Sequence, residues 1–380
     1  MNALYTLWIL TTAGQCTQKT YKTLKAFNSP RNVYDALSSD FDPALFTKEE
    51  IKSFSSKSLT EAEEIKKYCN ENEIKIITYY DEEYPSLLKE IYDPPLALFV
   101  KGKMPCLDGE PSISIVGTRL CTQEGMHFAA KVSHDLSLSG FTVVSGMAQG
   151  IDTYAHKGAL MAKKPSIAVL AGGVDIVYPQ QNRELYDLLC SSGAVVSECL
   201  PKTAIKNLSF HIRNRIISGL TYGTLVVETG ERGGSLITIR HALEQNRLVF
   251  AVPGYPKSAA SKGANLLIKE GAILCTSGKD IIDEYMAIFK DKIKPITKTE
   301  IENTKHEDKQ KKAEIRAFVM ERLSEKEQKI YLALASGPIS ADGICNTVSM
   351  LFNEVITILQ GLELMGYIES VQGGYFKIKQ

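Results

Sequence analysis

The chain has 380 residues, with 44 basic and 44 acidic side chains, 44% apolar residues and 23% charged ones, an ordinary composition for a globular protein of two or three domains. No apolar run approaches the roughly 18 residues that a membrane helix needs, so no membrane span is expected. Eight cysteines without a C-x-x-C pair argue for reduced thiols in a cytoplasm and against a zinc site.

Zero net charge by itself would argue against nucleic acid, but the balance is local. Between Ile113 and Leu274 there are 16 Lys plus Arg against 11 Asp plus Glu, and five of the six histidines lie there too. A positive field can therefore be confined to one face of a middle domain.

The start, MNALYTLWILTTAG, lacks a basic region and a cleavage signal and reads as part of a helix. Residues 1–60 read as short helices, with Leu4, Leu7, Trp8 and Leu10 on one stripe and Leu24 with Phe27 on another. Ser29-Pro30 breaks the pattern before Val33 and Leu37 resume it. The expectation is a small helical domain of the sterile-alpha-motif or helix-hairpin-helix type. It has no clear G-x-G hairpin, so packing or protein contact fits it better than DNA contact. Residues 61–111 read as a connector: a helix Thr60–Asn70, a strand Ile74–Thr78, then YPSLLKEIYDPPLALFVKG (84–102). There Pro85, Pro94 and Pro95 force extended turns and Leu87, Leu88, Ile91 and Leu98 are laid on the core.

Residues 112–287 alternate strand and helix. The stretch Ile113–Asp152 is the first β-α-β unit: a strand ending at Gly117-Thr118-Arg119, a helix carrying Phe128, Ala129, Val132 and Leu136, and a strand Phe141–Val144 ending at Ser145-Gly146. Further strands are expected at Ser166–Leu170, Ala194–Ser197, Thr224–Val227, Leu248–Val252 and Ala272–Leu274. Seven β-rich runs separated mostly by helices predict an α/β domain, an extended Rossmann-like, mainly parallel sheet with helices on both faces. Residues 288–312 are charged and unpatterned and read as a flexible linker. Residues 313–380 carry helices with Ile330, Tyr331 and Leu334, with Ala341–Cys345, and with Val355, Ile356, Leu359, Leu362 and Leu364. A hairpin of Tyr367–Ser370 and Tyr375–Ile378 around Gly373-Gly374 then closes a winged-helix domain.

The strand ends of the middle domain share a composition: Gly117-Thr118-Arg119, Ser145-Gly146, Ala171-Gly172-Gly173 and Gly230-Glu231-Arg232-Gly233-Gly234-Ser235. Glycine lets a ligand backbone approach closely, and free amides at helix starts favour anions, so four such breaks on one edge predict a phosphate-lined groove. Arg119 adds a two-pronged cation. The dinucleotide pattern G-x-G-x-x-G and the G-x-x-x-x-G-K-[ST] loop are both absent, which removes NAD and P-loop nucleotide chemistry. No cofactor is expected.

The segment FHIRNRIISGL (210–220) offers Arg213 and Arg215 near a helix start, with Lys202 and Lys206 upstream. No acid lies within it to pair with them. Phe210 could stack on an unpaired base or anchor the core. Asp152 reads as the N-cap of the helix that carries Lys157. His156 and His241 lack the partners of a catalytic triad, and Glu198 and Glu228 are two lone carboxylates that do not make a metal site.

Taken together, YPSLLKEIYDPPLALFVKG, SIVGTRLCTQEG, VVSGMAQGIDTYAHKGAL, VLAGGVDIVYPQQNRELY, FHIRNRIISGL and LVVETGERGGSLITIRHALEQNRLVFAVPG resemble the DNA-processing protein A family (DprA/Smf). The resemblance implies a core that binds single-stranded DNA without cutting it, forms a homodimer, and helps load the RecA recombinase in natural transformation. Carried over by position, the DNA contacts would fall on Gly117, Thr118, Arg119, Ser145, Gly146, Lys157, Phe210, Arg213 and Arg215. The loops at Gly172-Gly173 and Gly233-Gly234-Ser235 would line the same edge, with Lys206 adding charge. The family usually reads F-P-x-R-N-R; here His211 stands in place of the proline, which implies a looser entry to that helix.

The core also resembles, distantly, the lysine-decarboxylase-like cytokinin hydrolases, which use an Arg and a Glu beside a P-G-G-x-G-T loop. The corresponding region here reads TGERGGS, so a nucleotide-hydrolysing enzyme stands as the alternative. A duplex-binding regulator would rest on the winged helix alone, and MLFNEVITILQGLELMG has no Lys or Arg to meet phosphate.

Overall fold

The structure, a computed structural model, describes residues 2–12, 26–42, 46–294, 319–320, 322–371 and 374–378. The chain divides into two compact units, Met1–Pro295 and Ile296–Gln380.

The first unit is built on nine strands: β1 (Lys75–Thr78), β2 (Ala97–Gly102), β3 (Ser112–Val116), β4 (Thr142–Ser145), β5 (Ser166–Val169), β6 (Ala194–Ser197), β7 (Gly223–Val226), β8 (Leu248–Ala251) and β9 (Ile273–Leu274). Their spatial order is β1-β2-β6-β5-β4-β3-β7-β8-β9. Strands β3 to β9 pair in parallel, as apolar runs linked by helices require. The segment 61–111 does more than lie on the core. It supplies β1 and β2, and β2 extends the sheet antiparallel to β6, with Phe99 opposite Ser197.

Alternation along the strands sorts two cores. Phe99, Ala168 and Val195 face one cluster, while Leu98, Val100, Ile167, Val169 and Val196 face the other. The helices α1 (Asn2–Thr12), α2 (Pro30–Asp35), α3 (Lys48–Phe54) and α4 (Thr60–Glu71) belong to the first cluster. Leu7, Trp8, Val33 and Phe54 are continuous there with Phe99 and Val195, so the described residues among 1–60 share an apolar core with the sheet. Residues 13–25, including Leu24, lie outside the described residues. On the opposite face, the short α5 (Ser86–Lys89) brings Leu88, which with Ile91 packs on Ile216 and Leu220.

After β3 comes α6 (Gln123–Leu138), whose N-cap Thr122 accepts from Gly125 N at 3.0 Å. Then follow α7 (Ile151–Met161), α8 (Arg183–Ser192), α9 (Asn207–Gly219), α10 (Ser235–Glu244), α11 (Lys262–Lys269) and α12 (Gly278–Tyr285). Beyond α12 the expected linker starts later than its composition implies. Phe289 and Ile293 are buried, Lys292 pairs with Glu110 at 2.6 Å, and Lys294 N donates to Ser139 O at 3.0 Å. The remainder, 295–312, lies outside the described residues.

The second unit holds α13 (Glu325–Ala333), β10 (Ile339–Ser340), α14 (Ala341–Val348), α15 (Phe352–Leu364), β11 (Ile368–Val371) and β12 (Tyr375–Ile378). Its sheet runs β10-β12-β11, antiparallel throughout. Ile330, Ile344, Val355, Leu359 and Leu362 form its core. This is a winged helix, with the hairpin as wing; Gly373 lies outside the described residues. Among the described residues no helix is long and apolar enough to cross a membrane.

Candidate nucleic-acid interface

The strand order decides where a ligand can sit. From β3 the chain steps outward through β4, β5 and β6, then crosses back to β7 on the other side of β3 and steps outward again to β8 and β9. At such a switch point the loops leaving the two neighbouring strands part company and open a crevice beyond their carboxyl ends. A cavity of about 530 Å³ lies there. It is lined by Gly117, Thr118, Arg119 and Leu120 after β3, and by Thr229, Gly230, Gly233, Gly234 and Ser235 after β7. Residues of α9, among them Phe210, His211, Arg213 and Asn214, close one side.

The β3 loop is held by Glu228. Thr118 N donates to the Glu228 carbonyl at 2.8 Å, and Thr122 donates to both carboxylate oxygens, from N at 2.9 Å and from Oγ1 at 2.6 Å. Glu228 thus serves the loop and the start of α6. Arg119 projects from this loop, exposed, with its guanidinium carbon 5.0 Å from the Phe210 ring centroid. Phe210 is half-buried in the first turns of α9 and also meets Tyr178, ring centroids 5.7 Å apart. It sits inside a helix beginning at Asn207, so His211 in place of the proline does not loosen an entering loop; His211 is itself exposed and lines the cavity. Across the crevice Gly234 has open space where a Cβ would stand, and the Ser235 hydroxyl donates to Thr229 Oγ1 at 2.7 Å.

Several expected contacts are placed elsewhere. Arg215 is not a surface cation. It is buried, with Nε 2.9 Å from Asp93 and Nη2 2.6 Å from Glu198. The acids absent from its own segment come from the 84–102 stretch and the end of β6. Burial works against its charge, and the two carboxylates outweigh burial and hold its pKa above the usual guanidinium value. Arg213 is also buried, yet it lines the cavity. Its Nη1 donates to Gly146 O at 2.8 Å and also to Val169 O. Burial, with Arg119 nearby, lowers its pKa to about 10, against the pull of Asp152.

Ser145 turns inward and donates to Ile115 O at 2.6 Å. Gly146 faces Arg213, whose guanidinium would stand 2.7 Å from an added Cβ. This glycine makes room for an arginine of the chain itself, not for a ligand. Gly172 and Gly173 are covered by the 200–205 loop, with Gly173 N donating to Thr203 O at 2.9 Å. Lys157 and Lys206 are exposed but do not line the cavity; Lys157 Nζ lies 5.3 Å from the Tyr154 ring.

Asp152 is not an N-cap, since Gly150 holds that place. From inside α7 it accepts Gly146 N at 3.2 Å and Ala148 N at 3.3 Å, and it lines the cavity. Burial raises its pKa to about 6. His156 is fully buried, its Nδ1 2.8 Å from Ser166 Oγ. That hydroxyl already donates to Val143 O, so the imidazole carries its proton on Nδ1. His241 pairs with Glu244 on the same helix. Leu120, Asp152, Tyr178, Asn207, Asn214 and Thr238 join the lining without any signal in the local sequence that singled them out as groove residues.

The fold agrees with comparisons to known proteins. Residues 75–286 match the family model for DNA recombination-mediator protein A, and residues 319–374 match that for the DprA winged helix domain. The chain is 42% identical over 214 residues to DNA processing protein DprA of Bacillus subtilis, covering 56% of this chain and 72% of that one. An X-ray structure of DprA from Streptococcus pneumoniae is similar with a TM-score of 0.66 at 34% identity, over 74% of this chain and 97% of that chain. DNA processing protein A from Helicobacter pylori, whose structure concerns that protein's unique single-stranded DNA binding mode, matches at a TM-score of 0.51 and 24% identity. It covers 56% of this chain and 96% of that one, and bears on the fold. With more than half its length in the family model, and with that core and winged helix in one chain, the protein belongs to the DNA recombination-mediator protein A family, the DprA/Smf proteins.

Proposed function

We propose that this protein binds single-stranded DNA in the crevice between the loops after β3 and β7, holds the strand without cutting it, and as a homodimer hands it to the RecA recombinase. The observation that carries the reading is Arg119, an exposed guanidinium stacked on Phe210 at the mouth of a glycine-lined cavity. A cation beside a ring suits a polymer that offers phosphates and unpaired bases together. The single-stranded DNA binding named for the Helicobacter pylori relative supports the ligand class. Membership of a recombination-mediator family supports the hand-over.

A binding role also fits the acids and the imidazole of this region. Glu228 holds the β3 loop, Glu198 holds Arg215, and His156 is sealed in the core. The test is an anisotropy titration of an oligo-dT against the parent and Arg119→Ala at several salt concentrations. Loss of a charge-assisted phosphate contact should weaken binding about ten- to a hundredfold and flatten the log–log salt slope by about 0.7. Binding equal to the parent at every salt would overturn the site. Sedimentation at micromolar concentration should show twice 42.0 kDa, and RecA filament assembly on a coated strand should quicken with the protein present.

A further inference from the structure

Leu120 follows Arg119 directly and is 90% exposed, one of the two most exposed large apolar side chains among the described residues. It does not stand on a slack loop. Leu120 N donates to Thr118 Oγ1 at 3.2 Å, Thr118 N is held by the Glu228 carbonyl, and Thr122 is held by the Glu228 carboxylate. Beneath it Gly150 approaches so closely that a Cβ there would lie 2.4 Å from Thr118 O and 2.6 Å from Arg119 O. A leucine on a free loop can fold back onto its own protein. This backbone is pinned from both sides, so the side chain keeps its apolar surface in water, available to an occupant of the crevice.

The surroundings indicate which occupant fits. Leu120 lines the same cavity as Tyr178, which is 45% exposed, and as the half-buried Phe210. The same lining holds the cations Arg119 and Arg213. Apolar groups interleaved with cations match a strand whose flat bases alternate with phosphates. They match a purely apolar protein surface less well, since burying those cations would leave them unpaired.

We propose that Leu120 is a wedge that enters between two successive bases of the bound strand, separating one base into the cavity from its neighbour outside. The proposal rests on the crevice being the single-stranded DNA site, and it adds the residue that favours unpaired over paired DNA. Inserting an apolar side chain unstacks a base step, which a single strand yields readily. A duplex must unstack both strands and kink. A cavity of about 530 Å³ has room for one nucleotide unit.

The full chain is titrated with an oligo-dT, with a duplex, and with a single strand carrying 2-aminopurine, whose emission rises on unstacking. Leu120→Ala should bind the single strand about tenfold more weakly with the salt slope unchanged, since no charge is lost. It should narrow the preference over duplex by a similar factor and abolish the emission rise, and Leu120→Met should restore all three. Because the side chain is exposed, none of these variants is expected to disturb folding. If Leu120→Ala binds like the parent while Arg119→Ala weakens, the wedge is wrong and the crevice reading stands. Weaker binding with the emission rise intact also overturns the wedge. So does unchanged DNA binding with a lowered sedimenting mass, which would make Leu120 a contact between copies. If both variants match the parent, the crevice reading falls and the wedge with it.

Discussion

The Arg119 guanidinium lies over the Phe210 ring, 5.0 Å from its centroid, and among the described residues no carboxylate pairs with it. A ring face orients a guanidinium without consuming its N–H groups, so those donors stay available for phosphate. Phe210 therefore orients Arg119. Phe210→Ala should weaken oligo-dT binding about five- to twentyfold with no change in salt slope. Combined with Arg119→Ala, the loss should fall short of the sum by about 0.5–1 kcal/mol. A double-mutant cycle that closes additively would show the two side chains working independently.

Arg215 should behave differently from Arg119. Removing it leaves the half-buried Asp93 and Glu198 carboxylates uncompensated, a loss of about 3 kcal/mol of stability. Urea titration of Arg215→Ala should show a midpoint well below the parent's. A parent-like midpoint with weakened DNA binding would instead return Arg215 to the phosphate contacts.

His156 sets an acid limit on stability. Burial, with Arg213 close by, lowers its pKa from 6.5 to about 3. The unfolded chain therefore takes up the proton first as pH falls. The stability from the neutral, buried imidazole is complete above about pH 6.5 and is lost progressively as pH drops toward 3. Asp152 works oppositely. Its pKa is raised from 3.8 to about 6, so the folded state takes up that proton first, and stability gained below pH 6 partly offsets the His156 loss. His156→Gln should flatten the fall of Tm between pH 6.5 and 4, and Asp152→Asn should steepen it. Parallel Tm profiles for all three proteins would refute the assignment.

The fragment 1–294 should keep single-stranded DNA affinity within a few-fold of the full chain. The lining of the cavity lies wholly in the first unit, and residues 350–366 hold no Lys or Arg. Ending the fragment at residue 287 should lower its stability, because Phe289, Ile293 and the Lys292–Glu110 pair are lost. An affinity loss of a hundredfold for 1–294, by the same anisotropy titration, would place DNA contacts in the winged helix.

The sequence by itself determined much that is local. The apolar runs at Ile113–Val116 and Ser166–Val169, the helical spacing of Ala129, Val132 and Leu136, and the wing hairpin are properties of neighbouring residues, and the backbone follows them. Arg119 was legible for the same reason, since a cation two residues past a glycine at a strand end stands in the loop that leaves that strand. What only the tertiary structure decided was which of several similar loops meet. Gly172-Gly173 and Gly233-Gly234 read alike, but β7 lies next to β3 while β5 lies beyond β4, so only the second pair reaches the crevice. Arg213 and Arg215 likewise sit two residues apart on one helix. Their roles were set by Gly146, 67 residues away, and by Asp93, 122 residues away. A charge is free or committed according to the partners that folding brings to it, and those partners lie too far along the chain for any local pattern to name.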